Sequence, residues 1–514
     1  MRMDRRDFLS DLTRTAALCA IVPNVWRVSN RPRFADDPFT LGVASGDPTA
    51  TGGVLWTRLA PRPFEPDGGM ELRTVVTWEV ADDDGFKKIV KTGRATAGEE
   101  LSYSIHVDVD GLTPDRWYFY RFQSGQATSP VGRFRTAPAD GAKTALKFAV
   151  ASCQRWDQGL FTAYEHMAKE ELDLVTHLGD YIYEGSSPAN AVRKHQGLEI
   201  RTVDDYRRRY AQYKSDPALQ AAHARCPWVV VWDDHEVDNN YAGVHGENDM
   251  ESVEQMRARR AAGYQAWWEH QPVRVPRVTS WADLTITRTI NWGALARFWM
   301  LDTRQYRDDQ ACGDGTKTVP CGDWADPKRT MMGATQEQWL FNGLGASKSH
   351  WQVIGNQVMM APNDSGPGPE MRLALDQWGG YPAARDRLLN TIAQRAANRT
   401  VVLTGDIHTH WANELHSEFS RPDRPVVAAE FVGTSISSDG DGSGEPGERM
   451  KTQLAENPHI KWFHNRRGYI TCSVDEQQWL SEYRTVAYVT KPGAPLETAA
   501  RFRLEHGKPG LQKL

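Results

Sequence analysis

Asp406, His408 and His410 stand at alternate positions just past an apolar run (Val401, Val402, Leu403) that stops at Gly405. Three other apolar runs end in the same manner. LKFAVASC (146–153) ends on Cys153, followed by Gln154 and Arg155. LDLVTHLGD (172–180) ends on Asp180, with Tyr183 three residues on. PWVVVWDDHE (227–236) ends in Asp233, Asp234, His235 and Glu236, with Asn239 and Asn240 close by. Carboxylates at this density repel one another and are costly to bury unpaired, so a bound cation is the expected counter-charge. Oxygen donors suit calcium, and thiolate plus imidazole suit a transition metal. A carboxylate at the crevice can bridge two ions, and two ions roughly 3.5–4 Å apart clamp a phosphoryl group and activate water. The glycines before Asp180 and Asp406 are expected to allow tight turns that point each carboxylate back at a metal.

These residues need a scaffold that brings several strand ends to one place. From residue 146, short apolar runs alternate with long charged segments of helical pattern, the signature of an α/β domain. Besides the runs above, the first of which is TVVLTGDIH (400–408), there are ALARFWMLD (294–302) and WQVIGNQVMMA (351–361), with helices predicted at 161–171, 203–215 and 251–270. In open α/β sheets, ligands bind outside the carboxyl ends of the strands. Residues 38–137 instead alternate apolar and polar positions between Asp/Gly-rich turns, as strands do. GLTPDRWYFYRF and VGRFRTAP there resemble a fibronectin type III-like sandwich. TAPADGAKT (136–144) is the natural linker. The expected division is a leader over 1–34, a β-sandwich over 35–138 and an α/β catalytic domain over 145–508.

A net charge of −5 with 25% charged residues points to neither nucleic acid nor an anionic membrane as partner. Near the N-terminus, Arg5 and Arg6 precede Phe8 and Leu9 and a short apolar run, which resembles a twin-arginine export signal. No stretch reaches the ~18 apolar residues of a membrane span. Cys312 and Cys321 flank a Gly/Asp/Thr-rich loop and are the expected disulfide in an oxidising compartment. Cys226 and Cys472 read as core, and Cys153 is left over. SSDGDGSGEPGER (437–449) reads as a mobile, solvated loop in preference to the calcium site that its acidic residues could suggest.

GDYIYE (179–184), DDHE (233–236) and GDIHTHW (405–411), with ASCQ (151–154) upstream, resemble the PhoD-like alkaline phosphatases, within the wider metallophosphoesterase group that holds the purple acid phosphatases. The resemblance covers the export signal, the β domain and the catalytic domain. It implies a metallophosphoesterase sandwich of mixed sheets flanked by helices. It also implies Fe(3+) on Cys153, Asp180, Tyr183 and His408, and Ca(2+) on Asp180 as bridge, Asp234 and Asp406, with Asn240 and Asn356 as further candidate ligands. His235 is expected as a phosphate ligand or proton donor, the alternative being a residue behind the ligands. His410 is expected either to reach a phosphate oxygen or to hydrogen-bond a ligand. One departure is Tyr181, where some relatives carry arginine; Arg155 is the substitute candidate for phosphate binding. His177 reads as a satisfied core histidine, Trp267 and Trp268 as packing, and Arg304 as a brace of the site or a local salt bridge, the local pairing being preferred.

The function implied is an exported phosphatase in which a metal-bound oxygen attacks phosphorus in line, with Asp180, His235 and His410 as catalytic residues. No Ser or Thr stands where a covalent phosphoenzyme needs one. The alternative is a phospholipase D-like phosphodiesterase with the same metal set. A reading of another class, a calcium-binding or adhesion module, predicts neither hydrolysis nor iron. Expected partners are a small-molecule or lipid phosphate ester and the twin-arginine translocase. A monomer in the periplasm or outside the cell is expected.

Overall fold

The computed structural model describes residues 28–29, 32–247, 251–421 and 423–514. The paired arginines and Cys19 of the expected leader lie outside the described residues. Two large sheets form the frame. At the centre of the first, of ten strands, the parallel strands Leu146–Ala151, Leu174–His177 and Trp228–Val230 lie side by side, with Ala151 opposite His177 and Thr176 opposite Val229. Antiparallel Gly468–Val474 continues the sheet beside Leu146–Ala151. In the second, of seven strands, Ala296–Met300, Trp351–Gly355, Thr400–Thr404 and Val426–Val432 run parallel. Parallel pairing puts the carboxyl ends of each set along one edge, so the motif-bearing ends share a rim.

Both faces of these strands are buried, which is why they read as continuous apolar runs. Val401 and Leu403 face a core shared by the two sheets, where Phe148 meets Phe298 edge-on with ring centroids 5.4 Å apart. Val402 faces the other way, into a cluster with Leu340 and Leu388 of helices Gly333–Ala346 and Pro382–Arg395. On the outer face of the first sheet lie helices Val203–Lys214 and Val253–His270, each opened by a capping box, Thr202 with Asp205 and Ser252 with Gln255. Trp267 stands edge-on to Trp232 at 5.1 Å, and Trp268 packs on Trp281, so this pair is packing.

The N-terminal part is all-β. Strands Arg73–Ala81, Ile89–Ala97, Trp117–Ser124 and Gly132–Arg135 form most of one sheet. The strands Val43–Thr49, Gly52–Arg58 and Ser104–Val109 instead extend the ten-stranded sheet, through a parallel pair between Gly46 and Trp228. Gly46 allows this contact, since a Cβ there would lie 2.2 Å from the Pro272 carbonyl oxygen and 2.5 Å from that of Trp228. Asp47 then accepts two hydrogen bonds from Arg288, both at 2.9 Å, and one from Arg274 N at 2.7 Å. The N-terminal strands therefore share a sheet with the α/β part of the chain. Cys312 and Cys321 are joined in a disulfide that closes a ribbon, Thr316–Val319, paired with Met371–Ala374. Cys226 and Cys472 are free and buried.

Candidate metal centre

Three of the parallel strand ends deliver their functional residues through strained turns, and the end after Trp228–Val230 does not. Cys153, Asp180, Asp406 and His408 all adopt left-handed backbone, with φ between 56° and 62°. Such conformations cost about 1–3 kcal/mol each in a non-glycine residue and persist only where the surroundings impose them. The expected role of the preceding glycines needs correction at Gly405. The left-handed residue of that turn is Asp406 itself, and Gly405 is required by close packing: a Cβ there would lie 2.7 Å from Ser152 Oγ. Gly179 serves both ends, with φ 105° and only 2.4 Å between a would-be Cβ and Asp233 Cβ.

The turns bring donor atoms together in three groups: Cys153, Asp180 and His408; Asp180, Asp234 and His235; Asp233, Asp234 and Asp406. Within each, the atoms lie within 4.8 Å of one another. Asp180 belongs to two groups. The Tyr183 hydroxyl joins the first, donating to Asp180 Oδ2 at 2.9 Å with His408 Nε2 3.1 Å away. Three carboxylate oxygens here, Asp180 Oδ1, Asp233 Oδ2 and Asp234 Oδ1, are buried without a hydrogen-bond partner. Burial first, and then Asp180, holds the Cys153 thiol well above its usual range; burial, Asp180 and Cys153 do the same to the Tyr183 phenol. Burial, and after it Asp234, Glu236 and Asp406, raise Asp180 despite the opposing charge of His235. A like-charge pair about 4 Å apart costs about 4 kcal/mol at an effective dielectric near 20. The protein alone leaves thiol, phenol and carboxylates in want of positive charge, and cations fit this donor set.

Part of that charge is built in. Arg304 is fully buried and donates to Asp233, to Asp376 (2.8 and 2.9 Å) and to Asp406 (2.7 Å), with Asp234 Oδ1 at 3.6 Å. The local salt bridge expected of Arg304 is thus corrected: its partners come from separate loops far apart in the chain. Arg307 adds a second guanidinium on Asp376, 2.6 Å away. Glu236 is the crosslink between two strand ends, accepting from the backbone of Asp180 (3.0 Å), Tyr181 (2.6 Å) and Asp233 (2.8 Å). Burial pushes its carboxyl up to about 7 against those three bonds.

His235 stands at the rim. Its Nδ1 pairs with Glu184 Oε2 at 2.7 Å, and its ring lies 4.1 Å from that of Tyr183. Burial opposes protonation, yet Glu184, Asp234 and Asp180 together raise the imidazole well above its ordinary value. The Arg155 guanidinium lies 5.2 Å over the Tyr183 ring and donates to Asp157. Tyr181 turns inward to His223, 2.7 Å from its Nε2, so no side chain at 181 faces the centre. Asn240 adjoins it: its N donates to Asp234 Oδ2 at 2.7 Å and its Nδ2 to Asp314.

Two expected residues are placed elsewhere. Asn356 is turned into protein contacts: Oδ1 accepts from Trp378 Nε1 at 3.0 Å, and Nδ2 donates to Thr404 Oγ1 and Val358 O. His410 opens the strand His410–His416, fully buried, with its ring 4.9 Å from Tyr483 and Nδ1 accepting from Thr434 N. The left-handed turn at His408 breaks the alternation that suggested the two histidines share a direction. His177 is buried as expected but not satisfied; neither ring nitrogen has a partner, and burial lowers it to about 3.

Ser438 and Asp439 were missed. Asp439 Oδ2 lies 2.9 Å from His408 Nδ1, and Ser438 Oγ lies 2.8 Å from both the Tyr183 hydroxyl and the Cys153 carbonyl, with one hydrogen to donate between them. The start of the segment expected to be a solvated loop thus backs three residues of the first group. Its one sequence signal is acidic composition, which loops share.

Two mixed sheets that converge on a carboxylate-rich, multi-donor centre define a metal-dependent phosphatase of the purple acid phosphatase type of fold. A lupin purple acid phosphatase shares that fold, with a TM-score of 0.58 at 12% identity over 91% of this chain and 74% of that one. The PhoD-like phosphatase family profile matches residues 148–483, and that of the PhoD-like phosphatase N-terminal domain matches residues 25–138. The chain belongs to the PhoD-like phosphatase family. It is 47% identical to alkaline phosphatase D of Bacillus subtilis (strain 168), over 99% of this chain and 89% of that protein. A solved structure of PhoD matches with a TM-score of 0.91 at 49% identity, covering 94% of this chain and 93% of that one.

Proposed function

We propose an exported alkaline phosphatase whose centre takes Fe(3+) on Cys153, Asp180, Tyr183 and His408 and Ca(2+) on Asp180, Asp234 and Asp406, with Asn240 at its edge. The observation that carries this reading is the set of three buried carboxylate oxygens without a hydrogen-bond partner, beside a thiol and a phenol. Bound ions there supply the charge that neutralises a transferring phosphoryl group and lowers the pKa of water. The chain's own residues do the rest. Protonated His235, steadied by Glu184, holds a proton at the rim for a phosphate or leaving-group oxygen. Arg155 has Nε committed to Asp157 and presents its guanidinium edge to phosphate, in place of the arginine absent at 181. Arg304 keeps the carboxylates of the calcium side in place.

Arg5 and Arg6 support passage by the twin-arginine translocase to a periplasmic or extracellular location, and the protein is proposed to act there as a monomer. No helix among the described residues is long and apolar enough to cross a membrane. The all-β part over 35–138 serves as the frame on which the catalytic part over 145–508 is built. The test is metal analysis of natively exported protein together with rates on 4-nitrophenyl phosphate and its bis-ester. Iron and calcium with faster monoester turnover are expected; a faster bis-ester makes it a phosphodiesterase. Asp180→Ala is expected to abolish hydrolysis, and normal turnover in that variant overturns the site.

A further inference from the structure

A cleft of about 140 Å³ lies next to Asp406, reaching it through two of its lining residues. Its inner end is formed by Ile407, which stands between Asp406 and His408, and by Gln377, whose Nε2 donates to Asp406 Oδ2 at 2.5 Å. Met359 and Leu373 line its walls. At the far end, Gln453 donates through Nε2 to Asn363 Oδ1 at 2.6 Å. That leaves Gln453 Oε1 and Asn363 Nδ2, one acceptor and one donor, for a ligand. No side chain lining the cleft is charged, although the centre beside it is dense with charge.

We propose that this cleft takes the organic group of the phosphate ester and selects for groups that are small and uncharged. The proposal rests on the phosphatase reading above. The phosphoryl group belongs at the centre, and the bond to its organic group must leave that centre through adjoining space; Gln377, which lines the cleft, is hydrogen-bonded to Asp406 of the centre. At about 140 Å³ the cleft has room for a short organic chain. A charged group entering it would lose its hydration without gaining a counter-ion, a cost of several kcal/mol. A neutral group instead buries apolar surface on Met359 and Leu373 and meets the two amides at its tip.

The experiment is phosphate release from methyl, butyl, 3-carboxypropyl and 3-aminopropyl phosphate by the metal-loaded enzyme. We expect kcat/KM for butyl phosphate to exceed that of both charged esters at least tenfold. Ala374→Trp, at an exposed position of the cleft wall, is expected to lower butyl phosphate at least tenfold and leave methyl phosphate within twofold. Gln453→Lys, on the helix Glu448–Glu456, is expected to raise 3-carboxypropyl relative to butyl phosphate about tenfold. Equal rates on the three longer esters, or butyl phosphate turnover unchanged in Ala374→Trp, overturn the proposal. Should Ala374→Trp lose methyl phosphate as well, the ester preference of Gln453→Lys decides, an unchanged preference counting against the cleft. Failure of the wild type on methyl phosphate overturns the phosphatase reading itself.

Discussion

Asp439 Oδ2 sits 2.9 Å from His408 Nδ1, so a residue from an acidic loop fixes the imidazole that the strand end at Gly405 releases. The hydrogen bond from His408 also pulls the Asp439 carboxyl down to about 2. A carboxylate behind a ligating histidine sets its tautomer and orientation, and losing it typically weakens metal binding or activity 10- to 100-fold. Asp439→Ala is therefore expected to lower retention of the ion on the Cys153 side by at least tenfold. Metal content after dialysis against graded chelator measures this, and unchanged retention would show that Asp439 is not needed.

Arg304 is the shared counter-ion of Asp233, Asp234, Asp376 and Asp406. Removing one partner of a buried ion pair costs about 3–5 kcal/mol, because the charges left behind have no compensation. Arg304→Met is expected to lower thermal stability by several degrees. The loss should be larger in chelator than with calcium present, since bound calcium offsets the same repulsion. Thermal melts with and without calcium measure the difference; equal losses in both would separate Arg304 from the cation site.

The disulfide Cys312–Cys321 closes the ribbon that carries Asp314, and Asp314 accepts from Asn240 Nδ2 beside Asp234. Opening the bridge frees the ribbon and loosens that hold. Cys312→Ser with Cys321→Ser is expected to weaken calcium affinity several-fold while the iron-side absorption of a tyrosinate stays. Calorimetric calcium titration checks it, and an unaltered affinity would confine the bridge to stability.

The strand ends were legible because each combines an apolar run with donor residues at its close, a pattern set within ten residues of chain. That local grammar identified Cys153, Asp180, Asp234, His235, Asp406 and His408, which the fold gathers into adjoining donor groups. It failed where geometry departs from the average conformation. His408 at φ 56° rotates His410 into the core; histidine enters the left-handed region more readily than most residues, but its type alone does not say where. Long-range partners were equally hidden. Arg304 meets Asp233, Asp376 and Asp406 only after two sheets have packed, so its surroundings in sequence suggested a neighbour in LDTRQYRD. Asp439 lies in a stretch whose Gly, Ser and Asp content describes any solvated loop. Asn356 ends a strand as the ligands do, but Trp378 takes its oxygen.

Lys214 gives a test that is independent of metals. It is fully buried, with Nζ 4.0 Å over the Trp56 ring and 5.4 Å from that of Tyr181, and His106, His223 and His270 around it are themselves held neutral by burial. Burial lowers its pKa from 10.5 to about 7. At ~1.4 kcal/mol per pH unit that gap costs on the order of 5 kcal/mol when the lysine is charged. Between pH 7 and 10.5 the unfolded chain holds this proton and the folded chain does not, so stability rises with pH across that window. Below pH 7 both states are protonated and the full cost remains. Lys214→Met keeps the apolar stem and removes the charge. It is expected to stabilise the protein by a few kcal/mol at about pH 6–7, with the gain shrinking steadily toward about pH 10. Melting curves of both proteins across roughly pH 6–10 measure it, and a gain that is flat or grows with pH would mean that Lys214 is not held neutral in the fold.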